Sequence, residues 1–135
     1  METGTTWEYT VHVPHDPRAI PIARHTLRDI LDSYDCSGLV ERAELLATEL
    51  LTNAVRHTDG PASLRVHWRW KTLRLGVWDT DPRPPLRKAR AEPSESEAGR
   101  GLLLLESQAS DWGWFTLSDR MNEPNGKFVW CELTP

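Results

Sequence analysis

Three polar side chains recur at four-residue intervals in one apolar stretch of the chain: Glu49, Asn53 and His57. The stretch, LVERAELLATELLTNAVRHT, has the spacing of an amphipathic helix. Residues four apart share a helix face, so a carboxylate, an amide and an imidazole form one polar ridge. This ridge lies at the edge of an apolar stripe, which consists of Leu39, Ala43, Leu46, Leu50 and Ala54.

The ridge has two interpretations. Asn is a poor residue for a helix interior, and its amide oxygen is a suitable ligand for Mg²⁺ beside phosphate oxygens. This chemistry makes Asn53 a candidate metal ligand. The alternative is that the helix simply ends in polar residues, with His57 interacting favourably with the dipole at its C-terminus.

A carboxylate in phase with an apolar strand is the second candidate. In LRLGVWDTD the alternation places Leu73, Leu75 and Val77 on one face, and Asp79 follows on the same face. A carboxylate at the edge of an apolar pocket must be paired, and it can accept a hydrogen bond from an amino group such as that of adenine. The alternative is that the strand has already ended and DTDP is an ordinary turn.

A pair of glycines before a short helix is the third candidate. In GRGLLLLESQ, Gly99 and Gly101 precede a helix whose first amides would face an anion. The alternative is that the glycines form the flexible end of a loop.

The loop before the glycines, residues 82–98, is rich in Pro, Ser and charged residues and lies between Asp79 and the glycines. A long loop between two parts of a site is often a lid that closes over the ligand. The alternative interpretation of this loop is a solvated connector.

The elements that must position these residues follow from the same patterns. A strand is predicted at Thr6–Val13, followed by a helix with Asp16 as N-cap and Pro17 in its first position. The later predictions are a hairpin of 64–70 with 73–79, a short helix at 101–110, strands at 112–118 and 127–133, and a turn at 119–126 between them. The resulting order, β-α-α-β-β-loop-α-β-β, predicts an α+β fold with helices on one face of a mostly antiparallel sheet.

Composition narrows the class of protein. The 135 residues fit one domain, with 39% hydrophobic and 27% charged residues. A formal net charge of −4 argues against direct nucleic-acid binding through the phosphate backbone. Cys36 and Cys131 fit no metal spacing. Two cysteines are also too few for a disulfide framework, which favours a reducing compartment. We see no secretion signal and no apolar run of membrane-spanning length, so a cytoplasmic protein without membrane association is expected.

Together the three stretches resemble the GHKL superfamily of ATP-binding domains, and within it the small stand-alone anti-sigma-factor serine/threonine kinases. ELLTNAVRHT resembles the N box, GVWDTDPRPP the first glycine box and GRGLLLLESQASDWGW the second. The resemblance extends from about Thr6 to Leu133. It implies a Bergerat fold, a two-layer α/β sandwich, formed by a single domain over residues 1–135 with an ATP lid at 82–98.

The resemblance also implies a role for each site residue, with ATP and Mg²⁺ as cofactors. Glu49 becomes the catalytic base, Asn53 the Mg²⁺ ligand, and Asp79 the acceptor for the adenine amine. The ATP-binding set that it implies is Asn53, Arg56, His57, Asp79, Gly99, Arg100, Gly101 and Leu102.

The implied function is that of a kinase that phosphorylates a Ser or Thr of an anti-anti-sigma partner and thereby controls a sigma factor and transcription. A homodimer is implied as well. One alternative is a non-catalytic ATP-binding module that sequesters a partner protein, and another is a scaffold that has lost nucleotide binding. Three departures from the family pattern bear on these alternatives: Asp81 replaces a glycine of the first glycine box, and Lys127 and Phe128 stand where relatives often carry Thr or Ser.

Overall fold

The computed structural model describes residues 6–83, 104–120 and 123–135. Within these ranges the chain forms two long helices and five strands. In chain order they are β1 (Trp7–Val13), α1 (Ala19–Ser33), α2 (Val40–His57), β2 (Ala62–Arg69), β3 (Thr72–Asp79), β4 (Asp111–Arg120) and β5 (Glu123–Leu133). A 3₁₀ turn at Ser37–Leu39 leads into α2, and residues 104–108 are helical.

The five described strands form one sheet in the order β1-β2-β3-β5-β4. Every neighbouring pair in this sheet is antiparallel. The fold is therefore α+β, as the sequence predicts, and the expectation of a mostly antiparallel sheet is met by a fully antiparallel one in the described part of the chain. The strand β5 lies between β3 and β4, although it follows both in sequence.

The core lies between one face of the sheet and the two helices. Side chains alternate across a strand, so one set in each strand is buried and the other faces away from the helices. The largest fully buried side chains come from both layers and include Leu27, Leu31, Leu46, Leu51, Leu64, Val66, Leu73, Leu75 and Leu133. This packing holds the C-terminal half of α2 against the sheet.

The first helix begins later than the sequence predicts. Asp16 does not serve as its N-cap, because α1 starts at Ala19 with Arg18 in the capping position. The Asp16 carboxylate instead accepts the backbone N–H of Arg18 at 2.9 Å, and the Asp16 carbonyl accepts the N–H of Ala19 at 2.9 Å. These bonds form a turn ahead of the helix, so Pro17 precedes the helix and Pro21 lies in its first turn.

The two hairpins differ in how well the sequence predicts them. The predicted β2–β3 hairpin is observed, but its two-residue turn is Trp70–Lys71 and not Lys71–Thr72. Both turn residues have positive φ, as a tight hairpin turn requires. The predicted turn at 119–126 is wrong in extent, because β4 continues through Arg120 and β5 begins at Glu123. Register shifts near Ser118 let the two strands stay paired beyond the predicted turn boundary.

The short helix predicted after the long loop is observed at residues 104–108, with Leu105 buried in the core, and residues 101–103 lie outside the described residues. The proposed lid at 82–98 also lies outside them, apart from Pro82 and Arg83. Across the described ranges, no helix has the length and apolar character needed to cross a membrane.

Candidate functional site

The polar ridge of α2 lies where the helix meets the sheet. The Glu49 residue is buried, with 8% of its surface exposed, whereas Asn53 and His57 are half-buried. The apolar stripe beside them is buried along its whole length, at Leu39, Ala43, Leu46, Leu50 and Ala54. The helix therefore directs a carboxylate into the interior and leaves an amide and an imidazole at the rim.

The end of β3 supplies a second buried carboxylate. Asp79 is 5% exposed and follows Leu73, Leu75 and Val77 on the face that meets the helices. Lys127 of β5 lies opposite it in the sheet register and is 6% exposed. The Lys127 ammonium lies 3.1 Å from each Asp79 carboxylate oxygen, so the two charges form a buried ion pair.

The backbone of Asp81 completes this pair. Its N–H donates to Asp79 Oδ1 at 2.9 Å, and its carbonyl accepts from Lys127 Nζ at 3.2 Å. The Asp81 side chain turns to Arg83, whose guanidinium lies 2.9 Å from the carboxylate. That hydrogen-bonded guanidinium holds the pKa of Asp81 below its ordinary value. The residue that replaces the box glycine thus positions Asp79 and Lys127 through its main chain.

His57 links the helix to the end of the sheet. Burial lowers the pKa of His57 below 6.5, and the neighbouring charges of Arg56 and Lys127 lower it further, while Asp81 opposes them. The imidazole is consequently neutral at pH 7. Gly60, three residues after His57, lies against Thr80, the residue that follows Asp79, so the C-terminal end of α2 is next to the Asp79–Lys127 pair.

The site's donors suit a metal bound mainly by a ligand's phosphates. In the described part of the chain, no group of three or more His, Cys, Asp and Glu side chains is arranged to hold a metal ion. Magnesium usually keeps several waters and takes one or two protein oxygens beside substrate phosphates. The amide of Asn53, at the rim of the site, fits that pattern as a single protein ligand.

The site residues expected from the sequence divide into two sets. Glu49, Asn53 and His57 lie on α2, and Asp79 ends β3, the strand against which α2 packs, while Arg56 lies exposed on the last turn of α2. The other set, Gly99, Arg100, Gly101 and Leu102, lies outside the described residues.

The sequence marks Lys127 only as a departure from the family pattern, and its pairing with Asp79 was not predicted, although its position carried a signal. It is in phase with Val129, Cys131 and Leu133, all of which are buried on the helix-facing side of β5. A lysine in phase with three apolar residues needs a buried partner. Phe128, by contrast, points to the opposite face of the sheet, where its ring lies against the backbone of Gly76.

The five-stranded antiparallel sheet of the described residues, with helices on one face, fits the histidine kinase-like ATPase fold. The family model for the histidine kinase-like ATPase domain matches residues 13–129. The chain belongs to this family, whose domains bind ATP. It is also similar to an uncharacterized protein of Streptomyces coelicolor, with 39% identity over 82 residues that cover 54% of this chain and 72% of that protein.

Proposed function

We propose that this ATP-binding domain is a protein serine/threonine kinase that moves the γ-phosphoryl group of ATP to a hydroxyl of a partner protein. The observation that carries the proposal is the burial of Glu49 one helical turn before Asn53 on the site-facing side of α2. A carboxylate one helical turn from the proposed metal ligand is placed to act as a proton acceptor beside a metal-bound phosphate.

The proposed reaction transfers the γ-phosphoryl group from ATP to a hydroxyl oxygen of the partner. The bond between the γ-phosphorus and the bridging oxygen of ADP breaks, and a bond forms from phosphorus to the Ser or Thr oxygen of the partner. The hydroxyl proton passes to the Glu49 carboxylate. Mg²⁺ held by Asn53 would neutralise phosphate charge. Such transfer depends mainly on alignment and charge neutralisation, which a rigid helix can provide.

The proposed partners rest on the resemblance of the three sequence boxes to the anti-sigma-factor kinases. The substrate would be an anti-anti-sigma protein, and the unphosphorylated partner would compete with a sigma factor for this domain. Control of transcription would follow from which partner is bound. A homodimer and a cytoplasmic location belong to the same proposal.

Transfer of label tests the proposed reaction. The protein is incubated with γ-labelled ATP, Mg²⁺ and candidate anti-anti-sigma proteins from the organism that encodes it. We expect label on one partner, and transfer that falls about 10²–10⁴-fold in Glu49→Gln, the usual size of a general-base effect. Glu41→Gln is the matched control, because Glu41 is exposed in the first turn of the same helix. Transfer at the wild-type rate by Glu49→Gln would remove Glu49 from the reaction.

A non-catalytic module that sequesters a partner is the second candidate. It is favoured by the ion pair of Asp79 with Lys127, because an ammonium shares the carboxylate expected to accept from the adenine amine. A weaker hold on ATP suits a binding module better than a kinase that needs ATP in every cycle. In this case the domain would capture a sigma factor or its antagonist in pull-down assays, and no partner would acquire label. The two candidates are thus separated by the same set of purified proteins.

A further inference from the structure

The ammonium of Lys127 has its full set of partners. It carries three N–H donors, and the structure gives it three acceptors: Asp79 Oδ1 and Oδ2 at 3.1 Å each and the Asp81 carbonyl at 3.2 Å. The residue is 6% exposed, so it is fixed in this position by the fold. Lys127 therefore acts as a stationary positive charge beside Asp79.

The carboxylate of Asp79 keeps only part of its capacity to accept hydrogen bonds. Its Oδ1 accepts Lys127 and the N–H of Asp81, while Oδ2 accepts Lys127 among the described residues. A carboxylate oxygen offers about two lone-pair sites, so the residues that the structure describes leave one site on Oδ2 for a ligand. The pair as a whole carries no net charge, in contrast to a lone carboxylate.

A lone buried carboxylate discriminates strongly between bases. When position 6 of the base lies against it, the carboxylate attracts the amino group of adenine and repels the carbonyl oxygen of guanine. Discrimination of this kind depends on leaving a buried group unpaired when the wrong ligand binds. The ammonium of Lys127 removes that penalty, because Asp79 is paired with or without a base and the repelling charge is neutralised.

We propose that Lys127 is the specificity-determining residue of the base-binding end, so that the domain accepts purine nucleoside triphosphates with little preference for adenine over guanine. This inference rests on the proposed use of the site for a nucleoside triphosphate. It assigns to Lys127 a role that a merely structural counter-ion would not have.

The experiment compares Mg-ATP and Mg-GTP binding by calorimetry. For the wild type we expect the two dissociation constants to lie within about 3-fold of each other. For Lys127→Met we expect the preference for ATP to rise by about 10-fold or more, because the adenine amine then donates to an uncompensated carboxylate charge. Lys71→Met is the matched control, because Lys71 lies at the hairpin tip, at the opposite end of β3 from Asp79. It should keep the wild-type ratio.

The double variant Asp79→Asn with Lys127→Met tests the charge argument. It removes both charges together, and an amide can either accept from adenine or donate to guanine. The ratio of the ATP affinity to the GTP affinity should return to the wild-type range. The affinity for Mg-tripolyphosphate should stay unchanged in every variant. A structural role alone would change stability and leave the ratio of the two affinities unaltered.

The outcomes separate this inference from the proposed function. A wild type that binds ATP more than about 30-fold tighter than GTP, a difference of about 2 kcal/mol, overturns the inference and needs no variant to fold. An unchanged ratio in folded Lys127→Met overturns it as well, and leaves the kinase proposal standing. Absence of binding by both nucleotides and by tripolyphosphate in every protein would reject the inference and the proposed function together.

Discussion

Gly126 and Asp79 are in backbone contact across the β3–β5 pair. A Cβ on Gly126 would overlap the carbonyl oxygen of Asp79, and Gly126 has φ of +129°, which is accessible almost only to glycine. The glycine directly precedes Lys127, so the close approach of the two backbones sets the position from which Lys127 reaches the Asp79 carboxylate. The geometry of this ion pair depends on the absence of a side chain at residue 126.

Substitution of this glycine should be costly. We expect Gly126→Ala to lower the free energy of unfolding by at least about 2 kcal/mol, from backbone strain together with the overlap. Urea denaturation measures the change. Gly38→Ala is the matched control, since a Cβ at Gly38 meets nothing within 4 Å, and it should alter stability by about 0.5 kcal/mol or less. Equal losses in the two variants would contradict the predicted contact.

Loss of the Asn53 amide should weaken binding of the metal-bound nucleotide. We expect Asn53→Ala to reduce Mg-ATP affinity by about 10–100-fold. This is the usual effect of removing one polar contact to a charged group. Calorimetry with ATP in Mg²⁺ and in EDTA measures it, and the variant should lose most of the difference between the two. Thr52→Ala, at a half-buried polar residue of the same helix, serves as the control. A full Mg²⁺ effect in Asn53→Ala would place the metal elsewhere.

The stability of the domain should depend on pH through His57. Burial lowers its pKa below 6.5, so the unfolded chain binds the proton more readily than the folded chain. The stabilisation that neutral His57 gives to the folded state is complete above pH 6.5, and it is lost as the pH falls through the pKa of His57 in the folded protein. We expect the urea midpoint to fall between pH 7.5 and 5.5, and to fall less in His57→Gln. The lowered pKa of Asp81 acts only below 3.8, outside this window. Parallel pH profiles for the two proteins would show that other groups cause the loss.

The thiol of Cys131 should be inert in the folded protein. Burial raises its pKa to about 12, and none of its surface is exposed. We expect iodoacetamide at pH 8 to label it at least about 100-fold more slowly in buffer than in urea, because reaction needs both exposure and the thiolate. Peptide mass spectrometry reads Cys131 and Cys36 separately. Comparable labelling rates in buffer and in urea would mean that β5 opens frequently.

Those parts of the fold and site that depend on local periodicity could be predicted from the sequence. The 3.6-residue repeat of α2 placed Glu49 and Asn53 beside the buried stripe, and the two-residue repeat of β3 placed Asp79 on the helix-facing side. Such patterns indicate which face of each helix or strand is buried. They are informative because the apolar face of each element is buried away from water in the folded protein.

The parts that depend on pairing between distant strands could not be predicted. Asp79 and Lys127 are 48 residues apart, and only the register of β3 against β5 brings them together. Asp16 was assigned to a cap because its type fits one, yet its carboxylate is used in the turn before the helix. The extent of the β4–β5 hairpin likewise follows from register shifts near Ser118 that no local pattern shows.

The interior position of β5 has a consequence for the growing chain. A ribosome makes the helices and the other four strands first, so β3 presents an unpaired edge until β5 emerges. During that interval the Asp79 carboxylate has no lysine partner, because Lys127 arrives with the same strand. The proposed base-binding end of the site is therefore completed only when β5 inserts between β3 and β4.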